Sequence, residues 1–218
     1  MLRTETIERD TFELLTALMQ DEQMNHFNLV GGTALALYMG HRKSVDLDLF
    51  SPINFDIDKL EKHLNETYGF LKQKQSDATL LGFINGIKID CIRYNYPLIQ
   101  PVFIQDNIRL CSMPDIAAMK FVAISQNGTR LKDFVDVAYL STKMSLNEMV
   151  ESFEKKYPNN HKVSALKGLS YHNDIDFRYE IELMTGKFKW KAIEKRIYSM
   201  IKYPDKVFPQ FPIISNER

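Results

Sequence analysis

Cysteine, glycine and proline are scarce in this chain of 218 residues, which has 2 cysteines, 9 glycines and 8 prolines. Two cysteines, Cys91 and Cys111, cannot form a disulfide framework and favour a reducing compartment. No apolar run approaches the roughly 20 residues that span a bilayer, and the N-terminus lacks the apolar core of a signal peptide. We therefore expect a cytoplasmic protein that makes no membrane contact.

Net charge is absent as well, because 28 basic and 28 acidic side chains balance. The whole chain thus gives no sign of nucleic-acid binding, and any RNA or DNA contact must use a local patch. Apolar residues make up 44% of the chain, which is enough for a globular core. The length allows one large domain or two small ones.

A glycine turn is the first positive signal. A short apolar strand over residues 28–30 runs into Gly31, Gly32 and Thr33, and a compact helix follows as far as Met39. Glycines let backbone N–H groups approach a ligand at a helix N-terminus, where phosphate is favoured. The pattern therefore predicts a phosphate-binding turn.

Two carboxylates, Asp46 and Asp48, follow in an alternating strand. Residues i and i+2 of a strand face the same way, so both acids share one face, while Val45, Leu47 and Leu49 share the other. Neighbouring acids repel each other unless a positive charge lies between them, which a divalent metal provides. The turn and the acids together indicate nucleotide chemistry; the alternative is a strand face with two solvated acids.

The spacing of these residues resembles a known signature. Gly31-Gly32-Thr33, thirteen residues between Gly32 and Asp46, and then Asp46-Leu47-Asp48 are similar to the polymerase-β-like nucleotidyltransferases. The fuller string, Gly-Gly-Thr-Ala-Leu-Ala-Leu and then Gly-His-Arg-Lys-Ser-Val-Asp-Leu-Asp-Leu-Phe, resembles the AbiEii/AbiGii family of abortive-infection nucleotidyltransferase toxins. The resemblance covers residues 1 to about 140.

The resemblance implies an enzyme that transfers a nucleotide from an NTP to a hydroxyl group, with Mg²⁺ or Mn²⁺ as cofactor. It also implies the toxin half of a toxin–antitoxin pair, with an antitoxin encoded nearby and tRNA or another RNA as acceptor. Two alternatives stay open. One is transfer to a small molecule, as in antibiotic-modifying relatives, and the other is a catalytically silent module that binds a nucleotide or a partner protein.

The expected fold is α+β, a polymerase-β-like nucleotidyltransferase fold with a small mixed sheet flanked by helices. Residues 1–110 are predicted to form this core, and residues 111–218 a helical C-terminal domain. Asn85-Gly86 between two apolar runs predicts a β-hairpin. Residues 102–110 are predicted to add one more strand.

Asp90 is a third candidate metal ligand. It lies in a nearly apolar hairpin arm, Ile-Lys-Ile-Asp-Cys-Ile, where a charge is costly unless it is paired or metal-bound. The superfamily that the chain resembles carries its third acid on a later strand beside the first two. The alternative is an edge-strand acid paired with Lys88 or Arg93.

Lys120 lies on an otherwise apolar helix stripe. Such a lysine either extends its ammonium out to solvent or faces a cleft, where it meets a phosphate as a point charge. The resembling family has a lysine in a helix at a comparable place and a later Asp-x-x-Asp motif, which Asp133 and Asp136 match. By resemblance Asp133 is functional; the alternative is an ordinary pair between Lys132 and Asp136.

Basic residues supply the remaining candidates. Arg42 can clamp a triphosphate with two hydrogen bonds, and it joins Ser44 as a candidate nucleotide-binding residue because both lie near the glycine turn; the alternative is a solvated loop arginine. The segment 187–196 is a candidate nucleic-acid patch, or else a solvated helix face. Its helix is predicted to bury an apolar stripe of Trp190, Ile193, Ile197 and Ile201.

Overall fold

The computed structural model describes residues 1–213, and the chain divides into two compact units, Met1–Ser112 and Met113–Arg218. Among the described residues, the first unit contains a seven-stranded mixed sheet with three α-helices, and the second contains five α-helices. The predicted α+β class is therefore confirmed. None of the helices in residues 1–213 combines the length and the apolarity that a bilayer crossing requires.

The first unit is built around its sheet. The strands are β1 (Asn28–Leu29), β2 (Leu47–Ser51), β3 (Leu71–Ser76), β4 (Thr79–Ile84), β5 (Ile87–Arg93), β6 (Phe103–Gln105) and β7 (Ile108–Leu110). The helices are α1 (Arg9–Gln20), α2 (Gly31–Met39) and α3 (Ile57–Tyr68). The strand order is β3-β4-β5-β2-β1-β7-β6, so β5 and β2 are interior neighbours, and they run parallel.

The hairpin at Asn85-Gly86 is confirmed. Both residues have positive φ, 50° and 80°, as the favoured two-residue turn requires, and β4 pairs antiparallel with β5 across it. The prediction of a single strand over residues 102–110 is wrong. Asp106 and Asn107 also have positive φ, 53° and 63°, and they turn the chain into a second hairpin, β6–β7.

The second unit consists of α4 (Met113–Gln126), α5 (Leu131–Leu140), α6 (Leu146–Lys156), α7 (Lys162–Ser170) and α8 (Trp190–Lys202). Helix α4 packs against α5, α6 and α7. On α8, Ile193 and Ile197 are buried as predicted, but Ile201 is 39% exposed. Met200 is buried in its place, because it lies three residues after Ile197 on the same helix face.

Candidate active site

The acidic strand has the predicted alternation over its ordered part. Leu47 and Leu49 are fully buried, whereas Asp46 and Asp48 are half-buried. Strand β2 begins only at Leu47, so Asp46 lies immediately before it. Val45, which was expected on the buried face, is 52% exposed because it precedes the strand.

Asp90 lies directly opposite Asp48. The register of β2 and β5 pairs these two residues on parallel strands, and in-register residues of neighbouring strands point to the same face of the sheet. Asp90 is buried and its strand is interior, so the predicted position on an edge strand is wrong. The predicted pairing with Lys88 is present, because Lys88 Nζ donates to Asp90 Oδ2 at 2.6 Å.

Lys88 experiences the charge of all three acids. Burial alone would lower the pKa of Lys88, but the hydrogen bond to Asp90 and the charges of Asp90, Asp46 and Asp48 raise it above its ordinary value. The sequence reasoning considered Lys88 only as a partner of Asp90. Its position two residues before Asp90 on the same strand face was the signal that could have placed it in the site.

The glycine turn packs closely against the acidic strand. Gly31 has φ +69°, and a Cβ added there would lie 2.2 Å from Asp48 Oδ2. Any other residue would therefore collide with the carboxylate, in a backbone conformation that favours glycine. The N–H of Val30 donates to the carbonyl of Asp48 at 2.9 Å, which ties the turn to β2.

The other predicted nucleotide-binding residues gather at the same turn. Thr33 donates its hydroxyl hydrogen to the carbonyl of Asp46, and its Oγ1 lies 2.8 Å from Ser44 Oγ. A Cβ on Gly32 would lie 2.3 Å from Arg42 Nη2. Arg42 is only 2% exposed, so the alternative of a solvated loop arginine is wrong.

The first turn of α2 lacks a side-chain cap at its N-terminus. Its N-cap, Val30, makes no side-chain capping hydrogen bond, and the first N–H groups of a helix have no partner within the helix. These donors and the helix dipole favour an anion. The turn thus combines backbone donors with the buried guanidinium of Arg42.

The donor chemistry fits a hard divalent cation. Asp46, Asp48 and Asp90 offer only oxygen atoms, which Mg²⁺ and Mn²⁺ prefer. Asp90 Oδ1 is buried and has no hydrogen-bond partner, so one oxygen of the cluster lacks the contact that a buried carboxylate needs. As the side chains stand, residues 1–213 contain no group of three or more His, Cys, Asp or Glu arranged to hold a metal ion.

A second cluster lies within the helical unit. Lys120 Nζ is 2.6 Å from Asp133 Oδ1 and 2.7 Å from Asp136 Oδ2. All three side chains are at most 8% exposed, so Lys120 does not extend to solvent. Arg130 Nε lies 3.6 Å from Asp133 Oδ2. The structure therefore brings Lys120 together with both acids of the Asp-x-x-Asp motif.

The sequence did not predict one buried ion pair. Lys156 Nζ donates to Asp115 Oδ1 at 2.7 Å, and both side chains are 0% exposed. The pair joins α6 to α4. No local spacing links the two residues, so the sequence alone carried no signal for the contact.

Comparison with known proteins identifies relatives. The sequence model of the family described as nucleotidyl transferase AbiEii toxin, type IV TA system, matches residues 13–206. A protein of Aquifex aeolicus (strain VF5), named uncharacterized protein aq_aa25, is 36% identical over 156 residues, which are 69% of this chain and 75% of the relative.

Two crystal structures from Helicobacter pylori resemble the chain in fold. A candidate nucleotidyltransferase has a TM-score of 0.55 at 16% identity, covering 91% of this chain and 96% of its own. JHP933 has a TM-score of 0.47 at 15% identity, covering 90% and 97%. The first comparison confirms that this chain has the same fold as that candidate nucleotidyltransferase.

Proposed function

This chain belongs to the AbiEii family of nucleotidyl transferases, and from that premise we propose that it transfers a nucleoside monophosphate from an NTP to a hydroxyl group. The hydroxyl oxygen bonds to the α-phosphorus, the bond from that phosphorus to pyrophosphate breaks, and the hydroxyl proton passes to a carboxylate of the site. The observation that carries the proposal is the in-register pair of Asp48 and Asp90 beside the turn at Gly31.

Asp46, Asp48 and Asp90 would hold Mg²⁺ or Mn²⁺. Such an ion supplies charge stabilisation for the phosphates and activation of the attacking oxygen. The side chains themselves orient the reacting groups, which is the main requirement of phosphoryl chemistry. The register of β2 and β5 fixes two of the three carboxylates on rigid strands.

The glycine turn would bind the β- and γ-phosphates. Gly31 and Gly32 leave space at the turn for the side chains of Asp48 and Arg42, and Thr33 contacts Ser44 and the carbonyl of Asp46. Arg42 lies against Gly32, where a guanidinium can donate two hydrogen bonds to one phosphate.

Lys120 and Asp133 are further proposed catalytic residues. We assign Lys120 the role of a phosphate contact and Asp133 the role of holding its ammonium, with Asp136 as a second holder. Two carboxylates within 2.7 Å fix the position of the ammonium.

RNA is the proposed acceptor, and the proposed biological role is that of a toxin controlled by an antitoxin encoded nearby, acting in the cytoplasm. Within the helical unit, a groove of about 1070 Å³ lies along α8 and residues 208–213. Its lining contains one acidic side chain, Glu194, and five basic ones: Lys189, Lys191, Lys195, Arg196 and Lys202. This local excess of positive charge suits phosphate groups although the chain as a whole is neutral.

A cationic small molecule is the second candidate acceptor, and one observation favours it. A cleft of about 750 Å³ in the first unit is lined by Asp46 and Lys88, and also by Glu8, Asp10 and Glu13. An acidic wall repels RNA and attracts an amine-rich acceptor such as an aminoglycoside.

The two acceptors are separated by a labelling experiment. The protein is incubated with each labelled NTP, Mg²⁺ and total RNA at two salt concentrations, and in parallel with an aminoglycoside. Label on RNA that weakens with salt supports the RNA acceptor, because phosphate contacts make binding salt-dependent. Label on the aminoglycoside alone supports the second candidate. NTP binding without any transfer would support a silent binding module instead.

A further inference from the structure

The acid cluster contains a cation of its own. Lys88 and Asp90 lie two residues apart on β5, so their side chains share the sheet face that Asp48 also shares through its register with Asp90. The ammonium of Lys88 donates to Asp90 Oδ2 at 2.6 Å. The charges of Asp46 and Asp48 also act on it. The ammonium of Lys88 is therefore a positive charge beside these carboxylates, and it offsets part of their mutual repulsion.

The ammonium satisfies this cluster only in part. Asp90 Oδ1 is buried and without a hydrogen-bond partner, although Asp90 Oδ2 is bonded to Lys88. A divalent ion carries twice the charge of an ammonium and can accept oxygen ligands from several directions. Electrostatics therefore favours replacement of the ammonium by a divalent ion in this cluster.

Lys88 also has room to move. Its side chain is 36% exposed, and it lines the cleft that Glu8, Asp10 and Glu13 border. An ammonium that leaves Asp90 would therefore stay within a negatively charged cleft. Its flexible four-carbon stem allows such a shift without a change in the strand.

We propose that Lys88 acts as a built-in placeholder for the divalent cation: it offsets part of the negative charge of Asp46, Asp48 and Asp90 in the metal-free protein and is displaced when the metal binds. This inference rests on the proposed metal site. Lys88 is thereby a residue that sets metal affinity, and it keeps three neighbouring carboxylates compatible with a stable fold before the metal arrives.

The test measures metal binding without nucleotide and without turnover. Mn²⁺ binding is titrated by electron paramagnetic resonance for the parent protein, Lys88→Met and Lys88→Arg. Removal of the competing cation is expected to tighten Mn²⁺ binding about tenfold in Lys88→Met, whereas Lys88→Arg, which keeps the charge, should bind no more tightly than the parent.

Lys72→Met is the matched control. Lys72 lies in the same sheet and makes a 2.6 Å contact with Glu61, and its side chain is 40% exposed, but Glu61 is not one of the three acids. Its Mn²⁺ affinity should equal that of the parent. Weaker Mn²⁺ binding in Lys88→Met would overturn the proposal, since Lys88 would then orient a ligand rather than compete with the metal. Equal affinities would also overturn it while leaving the metal site in place.

A second measurement uses the parent protein and does not depend on the folding of any variant. Lysines are labelled with an amine-reactive reagent with and without Mg²⁺ and are counted by mass spectrometry. Displacement predicts faster labelling of Lys88 with Mg²⁺ and unchanged labelling of Lys72. Slower or unchanged labelling of Lys88 would reject displacement. Absence of Mn²⁺ binding to the parent and to Lys88→Met alike would remove the metal site and the placeholder together.

Discussion

Asp48 and Asp90 stand side by side on two interior parallel strands. Two carboxylates in this relation destabilise each other unless a cation lies nearby, and the ammonium of Lys88, which donates to Asp90 Oδ2, offsets only part of their negative charge. The pair is therefore better explained by chemistry than by stability. The glycine at position 31, which leaves space for Asp48 Oδ2, supports the same explanation.

Asp46→Asn and Asp48→Asn are expected to abolish nucleotide transfer and to leave the fold intact. Each change removes a charge that is proposed to bind metal and also removes repulsion, so the melting temperature should stay the same or rise. Calorimetry should detect Mg²⁺-dependent NTP binding in the parent and a large loss in each variant. Asp77→Asn, at an exposed turn residue, is the control. Equal NTP binding in the parent and both variants would contradict the metal role.

Gly31→Ala is expected to damage the site more than the fold. The new Cβ would lie 2.2 Å from Asp48 Oδ2 and would push the carboxylate away. Gly69→Ala is a matched control, because Gly69 has the same φ of +69° and no atom within 4 Å of the added Cβ. Both should lose about 1–2 kcal/mol from backbone strain. Transfer should be lost only in Gly31→Ala, and equal activity in both variants would contradict the steric role.

Local patterns predicted most of the core sheet. A few neighbouring residues were enough to predict three features: the Asn85-Gly86 turn, the alternation around Asp48, and Asp90 as a charged residue in an apolar strand. The Asp106-Asn107 turn was missed because its flanking strands have only three residues each, which is too short for a period to be recognised.

Long-range ion pairs could not be predicted. Asp115 lies in the first turn of α4 and Lys156 at the end of α6, and they meet at full burial. Likewise the apolar stripe around Lys120 predicted an ammonium that extends to solvent or meets a phosphate in a cleft, but not one that Asp133 and Asp136 both pair with. Such contacts depend on how helices pack, and helix packing leaves no fixed spacing in the sequence.

Lys120→Met is expected to destabilise the protein by about 3–5 kcal/mol, because it removes the ammonium that pairs with two buried carboxylates. Urea unfolding measures the loss. Arg130→Met is the control, since Arg130 is 65% exposed at 3.6 Å from Asp133, and it should cost at most about 1 kcal/mol.

The role of Asp133 in catalysis is tested separately. Asp133→Asn keeps the contact between Lys120 and Asp136, so the variant should fold. If Asp133 holds Lys120 for the reaction, transfer should fall tenfold or more, which is about 1.36 kcal/mol of barrier. Full activity in folded Asp133→Asn would reject the role.

Asp21 is expected to stabilise the fold in a pH-dependent way. Burial would raise the pKa of Asp21, but hydrogen bonds from His63, Tyr68 and the N–H of Gln23 outweigh it and hold the pKa below 3.8. A depressed pKa in the folded state contributes stability above the unfolded value, and this is lost as pH falls through the folded value. Asp21→Asn should therefore lower the free energy of unfolding at pH 7 and have little effect at about pH 2. A deficit of the same size at both pH values would contradict this linkage.

The buried pair of Lys156 and Asp115 should behave as a unit. Lys156→Met removes the ammonium that pairs with a fully buried carboxylate and is expected to cost about 3–5 kcal/mol in urea unfolding. The double variant Asp115→Leu with Lys156→Met replaces both charges by apolar groups and should recover most of that loss, since apolar replacements of buried ion pairs are often neutral or stabilising. Lys155→Met, at the exposed neighbouring position, should stay within about 0.5 kcal/mol of the parent. Additive losses in the double variant would show that the two charges do not depend on each other, because coupled residues in contact deviate from additivity.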